Sequence, residues 1–175
     1  TALKICKANF IVFTMEEEVE YFDVIDFRNN IVGKSSRNVV HWLGLRHRIS
    51  AVILQRADGK TMHTTASKYS LETGKLFHSA AGHVSAGETY EECAKRELLE
   101  ECGVKVDKVK LLGGFWFEGE REGKIDKERF QVYMAKYDES MGPIKLNHEQ
   151  LDARWLSREE LKEIFHKNYD SMGGP

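Results

Sequence analysis

Proline, cysteine and long apolar runs are what this chain has least of: two prolines and three cysteines in 175 residues. With so little proline there is no polyproline linker to divide the chain. Cys6, Cys93 and Cys102 are odd in number and lack metal-ligand spacing, which argues against a disulfide framework and for a reducing compartment. Cys93 and Cys102 read as small buried helix residues. No run approaches the ~20 apolar residues of a membrane-spanning helix. The opening TALKICKANFIVFT lacks the uninterrupted core and small-residue cleavage pattern of a secretory signal, so a cytoplasmic location with no membrane partner is expected. Charge of one sign is also missing. A net charge of -2 offers no bulk attraction to a nucleic-acid polymer or an anionic surface, so a polyanionic ligand has to be held by local cations.

What is present describes one ordinary globular domain, with 41% hydrophobic and 31% charged residues. The length gives room for one sizeable core. The acidic run after Met15 is the natural domain start, so residues 1–15 read as an N-terminal extension and 16–170 as a single domain, monomeric or homodimeric.

Along the chain, YFDVID at 21–26, the Asn29-Asn30 turn and Ile31-Val32-Gly33 predict a small hairpin. Ser36 is placed to cap a short helix through Leu43, with Gly44 as its stop. ISAVILQ at 49–55 is the strongest strand, and Asp58-Gly59 turns the chain into a returning strand at 60–65. Residues 66–80 read as a polar loop of active-site size. VKLLGGFWF at 109–117 is a strand interrupted at Gly113-Gly114 by a bulge or close backbone approach. Residues 118–128, EGEREGKIDKE, read as a charged mobile loop, and FQVYMAK at 130–136 alternates as a strand. A last strand at 151–156 leads into Ser157-Arg158-Glu159-Glu160, a capping box opening a helix that buries Leu161, Ile164 and Phe165. The pattern is a mixed α/β domain with two main helices.

Chemistry concentrates in GHVSAGETYEECAKRELLEECGV, residues 82–104. The spacing of Tyr90, Ala94 and Leu98 predicts a helix from Thr89 to Cys102, which puts Glu97, Glu100 and Glu101 within an arc of roughly 100°. Like charges so placed cost a helix about 0.2–0.5 kcal/mol per pair. A hard divalent cation held by carboxylate oxygens would neutralise them; the bland alternative is a solvated acidic face. Gly82 and Gly87 allow close backbone approach to a ligand, and Gly103 ends the helix as a left-handed cap.

Glycine, five residues, Glu88, seven residues, Arg96-Glu97, Leu98, Glu100-Glu101, Gly103 and Val104 in this order resemble the signature of the Nudix hydrolases at every fixed position. The resemblance implies the Nudix fold, an α/β/α sandwich with a central mixed β-sheet. It implies a Mg²⁺ or Mn²⁺ site at Glu97, Glu100 and Glu101 with a backbone carbonyl near Ala81 or Gly82. Arg96 would orient a neighbouring carboxylate and Glu88 would hold a water at the ion. The reaction implied is hydrolysis of a diphosphate linkage in a nucleoside diphosphate joined to another moiety, the substrate being a small molecule. The base is Glu97 or Glu101, or else Glu118, Glu120, Glu122 or Glu128 from the charged loop.

A second resemblance covers YFDVID, residues 33–37, the His41, Gly44-Leu45 and His47-Arg48 cluster, SAAGHVSAGE, and Glu149 with Trp155. These look like the branch related to isopentenyl-diphosphate isomerase, which implies a second metal site at His41, His47 and His83. Ordinary hydrogen-bonded histidines are the alternative. The isomerases carry a cysteine where this chain has Ala81, and alanine moves no proton. Hydrolysis of a prenyl diphosphate is therefore the nearer alternative to nucleotide hydrolysis, with isomerisation behind it and a non-catalytic nucleotide-sensing module as the rival of another class. An arginine near Thr65 and a Trp-Asp pair at Leu76-Phe77, usual in related hydrolases, are missing. Arg48, Lys68 or Lys75 are placed to supply the missing cation. Phe77, Trp116 and Tyr133 offer stacking surfaces, though aromatic residues are more often core.

Overall fold

A computed structural model describes residues 19–66, 76–121 and 123–171. The candidate cations Lys68 and Lys75, the candidate base Glu122 and the N-terminal extension lie outside the described residues. Strand β1, Tyr21–Ile25, pairs antiparallel with β2, Ile31–Ser36, as a separate two-stranded sheet. Their turn places Asn29 at φ 66°, a left-handed conformation that asparagine tolerates better than most side chains. Helix α1, Arg37–Leu43, stops at Gly44 with φ 61°. Ser36 stands at its N-cap, but without a side-chain cap hydrogen bond.

The main sheet is built around β3, Arg46–Gln55. One edge of β3 is shared. Its Gln55 end meets β4, Thr61–Ala66, and its Ile49–Val52 portion pairs antiparallel with β5, Ala80–His83. On the other edge β3 runs parallel to β7, Lys124–Lys136, which is antiparallel to β6, Lys110–Arg121. Strand β8, Gln150–Leu156, closes the far side against β4. The strand order is β6-β7-β3-β4-β8, with β5 joined to β3. This is the expected mixed α/β sheet.

Helix α2, Tyr90–Cys102, and helix α3, Arg158–Ser171, complete the fold. Alternation along β3 and β5 assigns the faces. Gly82 meets Glu97 of α2, whereas His83, next along the strand, meets His41 of α1. Ile53, which shares the His47 face of β3, lines a cavity of about 570 Å³ together with Leu161 and Ile164 of α3. Helix α2 thus covers one face, and α1 and α3 cover the other. Between α2 and the sheet lies the main core, with Val52, Leu54, Met62, Cys93, Ala94, Leu98, Cys102 and Tyr133 buried together. Cys93 and Cys102 are buried thiols, as expected.

Residues 118–121 and 124–128 depart from expectation. They are the paired ends of the long strands β6 and β7 rather than a loop, with Gly123 at φ 74°. Charge-rich composition suggested a loop, but Glu118 stands directly opposite Lys127, and opposite charges across a ladder support pairing. The bulge near Gly113 is present, as a register shift between Leu111 and Gly113.

Candidate active site

Helix α2 starts where its sequence directs. Thr89 accepts a hydrogen bond from the Glu92 amide at 3.2 Å, and the Glu92 carboxylate accepts from the Thr89 amide at 2.9 Å. This reciprocal cap satisfies two amides that the first turn leaves without partners. Gly103 ends the helix at φ 67°. Between these stops the helix presents Tyr90, Cys93, Ala94, Glu97, Leu98, Glu101 and Cys102 inward. Two of the predicted carboxylates are therefore buried: Glu97 is 8% exposed and Glu101 3%. Glu100 is on the exposed side.

Arg96 gathers these groups. Its Nε donates to Glu88 Oε1 at 2.9 Å and its Nη2 to Glu88 Oε2 at 3.1 Å, a bidentate pair. Its Nη1 donates to Glu97 Oε1 at 2.6 Å and to Glu100 Oε2 at 3.1 Å, while Nη2 also reaches the His83 carbonyl at 3.1 Å. Glu88 is further fixed by the Ser85 amide at 2.9 Å. Arg96, expected to orient one neighbouring carboxylate, thus hydrogen-bonds three.

Among the described residues Glu101 has no arginine partner. It accepts from Gln150 Nε2 at 2.7 Å and, weakly, from the Ala81 amide at 3.4 Å. Burial, and secondarily the neighbouring Glu97, push its carboxyl up to about 8. Burial likewise raises Glu97, against the pull of Arg96. Two adjacent buried carboxylates do not ionise together without a cation. Gln150 was not anticipated, because no local pattern connects it to a helix 49 positions away.

Gly82 explains its own identity. A β-carbon there would lie 1.9 Å from Glu97 Oε1, so any side chain displaces that carboxylate. Gly82→Ala is expected to lower turnover at least 100-fold and weaken Mg²⁺ binding, read by steady-state kinetics and metal titration. Turnover at the level of the unmodified protein would remove Gly82 from the site.

On the opposite face of β5 the three predicted histidines meet. His41, His47 and His83 have ligating nitrogens within 4.8 Å of one another. His47 Nδ1 lies 2.9 Å from the Leu45 carbonyl and so donates its proton there, which leaves Nε2 as the nitrogen free to meet a ligand. Nε2 of His47 and of His83 are both buried without a hydrogen-bond partner. Burial holds His83 well below the ordinary imidazole range and, joined by the neighbouring His47, lowers His41. Phe22 stacks on His83 at 4.6 Å. Two carboxylates complete the group: Asp126 Oδ1 lies 2.9 Å from His41 Nδ1, and Glu128 Oε1 lies 3.6 Å from His47 Nε2 and 3.8 Å from His83 Nε2. Three imidazole nitrogens this close together, beside two carboxylates, suit a divalent metal. Asp126 was missed and Glu128 was considered only as a base. Their i,i+2 spacing on one strand face was the available signal, hidden by reading the segment as a loop.

The remaining predicted residues are placed less centrally. Arg48 donates from Nε to Asn29 Oδ1 at 3.0 Å and from Nη2 to the Asn29 carbonyl at 2.9 Å, pinning the β1–β2 turn to β3. Phe77 lines the cavity under α3 with His63 and His78. Trp155 packs between Arg56 and Tyr137, and Glu149 is exposed just before β8. Tyr133 belongs to the core.

The sequence matches the family model described as NUDIX domain over residues 45–172. An uncharacterized Nudix hydrolase of Yersinia pestis is 33% identical over 147 residues, spanning 82% of this chain and 76% of that one. Among solved structures, DR0079 from Deinococcus radiodurans is similar with a TM-score of 0.65 at 24% identity, covering 85% of this chain and 90% of that chain. An Ap4A hydrolase from C. elegans has a TM-score of 0.51 at 20% identity, with coverage of 72% and 89%. For these two structures the likeness is one of fold.

Proposed function

This chain belongs to the Nudix hydrolase family, and from that premise we propose that it is a divalent-cation-dependent pyrophosphohydrolase cleaving the diphosphate linkage of a nucleoside diphosphate joined to another moiety. The observation that carries this reading is the burial of Glu97 and Glu101 against the side-chain-free backbone at Gly82. Glu97, Glu100, Glu101 and the backbone near Gly82 would hold a Mg²⁺ or Mn²⁺ ion, which would supply Lewis-acid stabilisation of negative charge at the diphosphate. Arg96 keeps Glu88, Glu97 and Glu100 in one orientation, so their geometry is set before substrate arrives. Glu88, held from both sides by Arg96 and Ser85, orients the attacking water. Glu97 or Glu101 accepts its proton. Of the alternative bases, Glu118 faces Arg46 at 3.8 Å, whereas Glu128 belongs to the histidine group. The protein is read as a single domain over 16–170, monomeric or homodimeric and cytoplasmic, acting on a small molecule.

Phosphate release from nucleoside diphosphates, nucleotide sugars, dinucleoside polyphosphates and prenyl diphosphates, with Mg²⁺ and Mn²⁺ in turn, tests this reading. Chelator-sensitive turnover of at least one nucleoside diphosphate derivative is expected. Tight metal-dependent nucleotide binding with no turnover anywhere in the panel would replace the enzyme by a nucleotide-sensing module.

The convergence of His41, His47 and His83 with Asp126 and Glu128 favours a second reading, in the branch resembling isopentenyl-diphosphate isomerase. A prenyl diphosphate is then the substrate. Ala81 shares the strand face of His83 and carries no exchangeable side-chain proton, so the isomerase's protonation and deprotonation of an alkene lacks one of its two agents. Incubation with isopentenyl diphosphate, following both phosphate release and alkene position, separates hydrolysis from isomerisation.

A further inference from the structure

Of the three carboxylates on α2, Glu101 is the one that no cation among the described residues holds. Arg96 engages Glu97 and Glu100, whereas Glu101 accepts at 2.7 Å from the neutral side-chain amide of Gln150. That amide is firmly placed. The connection before β8 is laced to the C-terminal end of α2, where the Lys145 amide donates to the Cys102 carbonyl at 2.8 Å and the Asn147 amide to the Glu101 carbonyl at 3.0 Å. The chain then enters β8 at Gln150, which stands opposite Ala66 of β4. Gln150 therefore reaches Glu101 from a backbone fixed on two sides. Its second polar atom is left over: Oε1 is buried and has no hydrogen-bond partner among the described residues. A buried carbonyl in that condition costs roughly 1–3 kcal/mol, and native folds keep few of them without a ligand or water to receive. Because Oε1 and Nε2 belong to one amide group, Oε1 lies no more than about 5 Å from the Glu101 carboxylate.

We propose that Gln150 is a positioning residue of the cation platform, a role that rests on the reading of Glu97, Glu100 and Glu101 as that platform. Its Nε2 fixes the orientation of Glu101 and leaves the other carboxylate oxygen against β5, 3.4 Å from the Ala81 amide. A neutral donor orients a carboxylate without neutralising it, so the charge of Glu101 is left for the ion. A lysine or arginine at position 150 would compete with the ion instead. Oε1 of Gln150 accepts a hydrogen bond from the hydration shell that a small hard cation such as Mg²⁺ largely keeps when carboxylates bind it. Outer partners of this kind typically govern about ten- to hundred-fold in metal affinity.

Mg²⁺, which carboxylates attract far more than imidazoles do, reports on the platform rather than on the histidine group. Calorimetric titration of the full chain with Mg²⁺ alone is expected to give Gln150→Met a dissociation constant about ten-fold or more above that of the unmodified protein. Gln150→Lys should weaken Mg²⁺ at least as much while raising the melting temperature in chelator, because its ammonium takes the ion's place beside Glu101. A residue that merely ties β8 to α2 would lower the melting temperature and leave the Mg²⁺ constant of the folded protein unchanged in both variants, and that result overturns the proposal. Glu101→Ala is the reference. If it weakens Mg²⁺ and neither Gln150 variant does, Gln150 alone loses its role; if it leaves the constant unchanged, or the unmodified protein takes up no Mg²⁺, the platform itself falls and the role of Gln150 with it.

Discussion

Glu101→Gln is expected to lower turnover by about three orders of magnitude, roughly 4 kcal/mol of transition-state stabilisation, while making the metal-free protein more stable above neutral pH. Both effects come from one buried carboxylate. Glu101 is 3% exposed, and burial raises its carboxyl from 4.5 to about 8. In the folded protein it keeps a proton that the unfolded chain has already released, so stability falls as pH rises toward the folded value. The buried histidines act with the opposite sign. His83 and His41 are lowered from 6.5, so their stabilising contribution is present above 6.5 and lost as pH falls below it. The carboxylate effect is therefore read between pH 6.5 and 8.5, where it amounts to about 2 kcal/mol, or roughly 4–8 °C in melting temperature for a chain of this size.

Glutamine retains an acceptor for Gln150 and removes the charge, so the variant should show a flatter profile. Mg²⁺ should flatten the profile of the unmodified protein by taking the proton's place, and should act far less on the variant. Thermal melts in chelator and in Mg²⁺ across that window, together with steady-state kinetics, check both halves. Near-normal hydrolysis by the variant, or a flat melting profile of the unmodified protein in chelator, would sink the assignment of Glu101 to the cation platform.

Arg96→Met is expected to cost about 3 kcal/mol of stability and nearly all activity. The guanidinium makes hydrogen bonds to Glu88, Glu97, Glu100 and the His83 carbonyl. The Glu88 and Glu97 side chains are only 14% and 11% exposed, so removing the cation leaves two nearly buried carboxylates without their partner. A melting temperature lower by roughly 6–12 °C follows. Adding Glu88→Gln should recover part of the loss, since it withdraws one of the stranded charges, and saturating Mg²⁺ should recover part by supplying another cation. A shift below about 1 kcal/mol would reduce Arg96 to a surface ion pair.

The helix and its ends were legible because their information is local. Thr89 with Glu92, Gly103, and the spacing of Glu97, Glu100 and Glu101 all act within one or two turns, where helical geometry converts sequence distance directly into spatial distance. The same holds for Gly44 after α1 and for Ser157 with Glu160, whose side chain and amide exchange hydrogen bonds at 2.7 and 3.2 Å before α3. The histidines were reached by resemblance, and the fold brings them together. The paired strand ends at 118–121 and 124–128 were misread because charge-rich composition speaks for a loop, whereas cross-strand pairing depends on a partner that composition does not reveal.

From the order of its residues alone, this protein has the carboxylate helix, its caps, the glycine beside it and the identity of the three histidines. Only the tertiary structure decides that Glu97 and Glu101 are buried while Glu100 is not, since that depends on which side of α2 lies against β5. It also decides that Gln150 serves Glu101 from 49 positions away and that Asp126 meets His41 from 85 positions away. Most of all, it sets the two candidate metal centres back to back on β5, because consecutive residues of a strand point to opposite faces and Gly82 precedes His83.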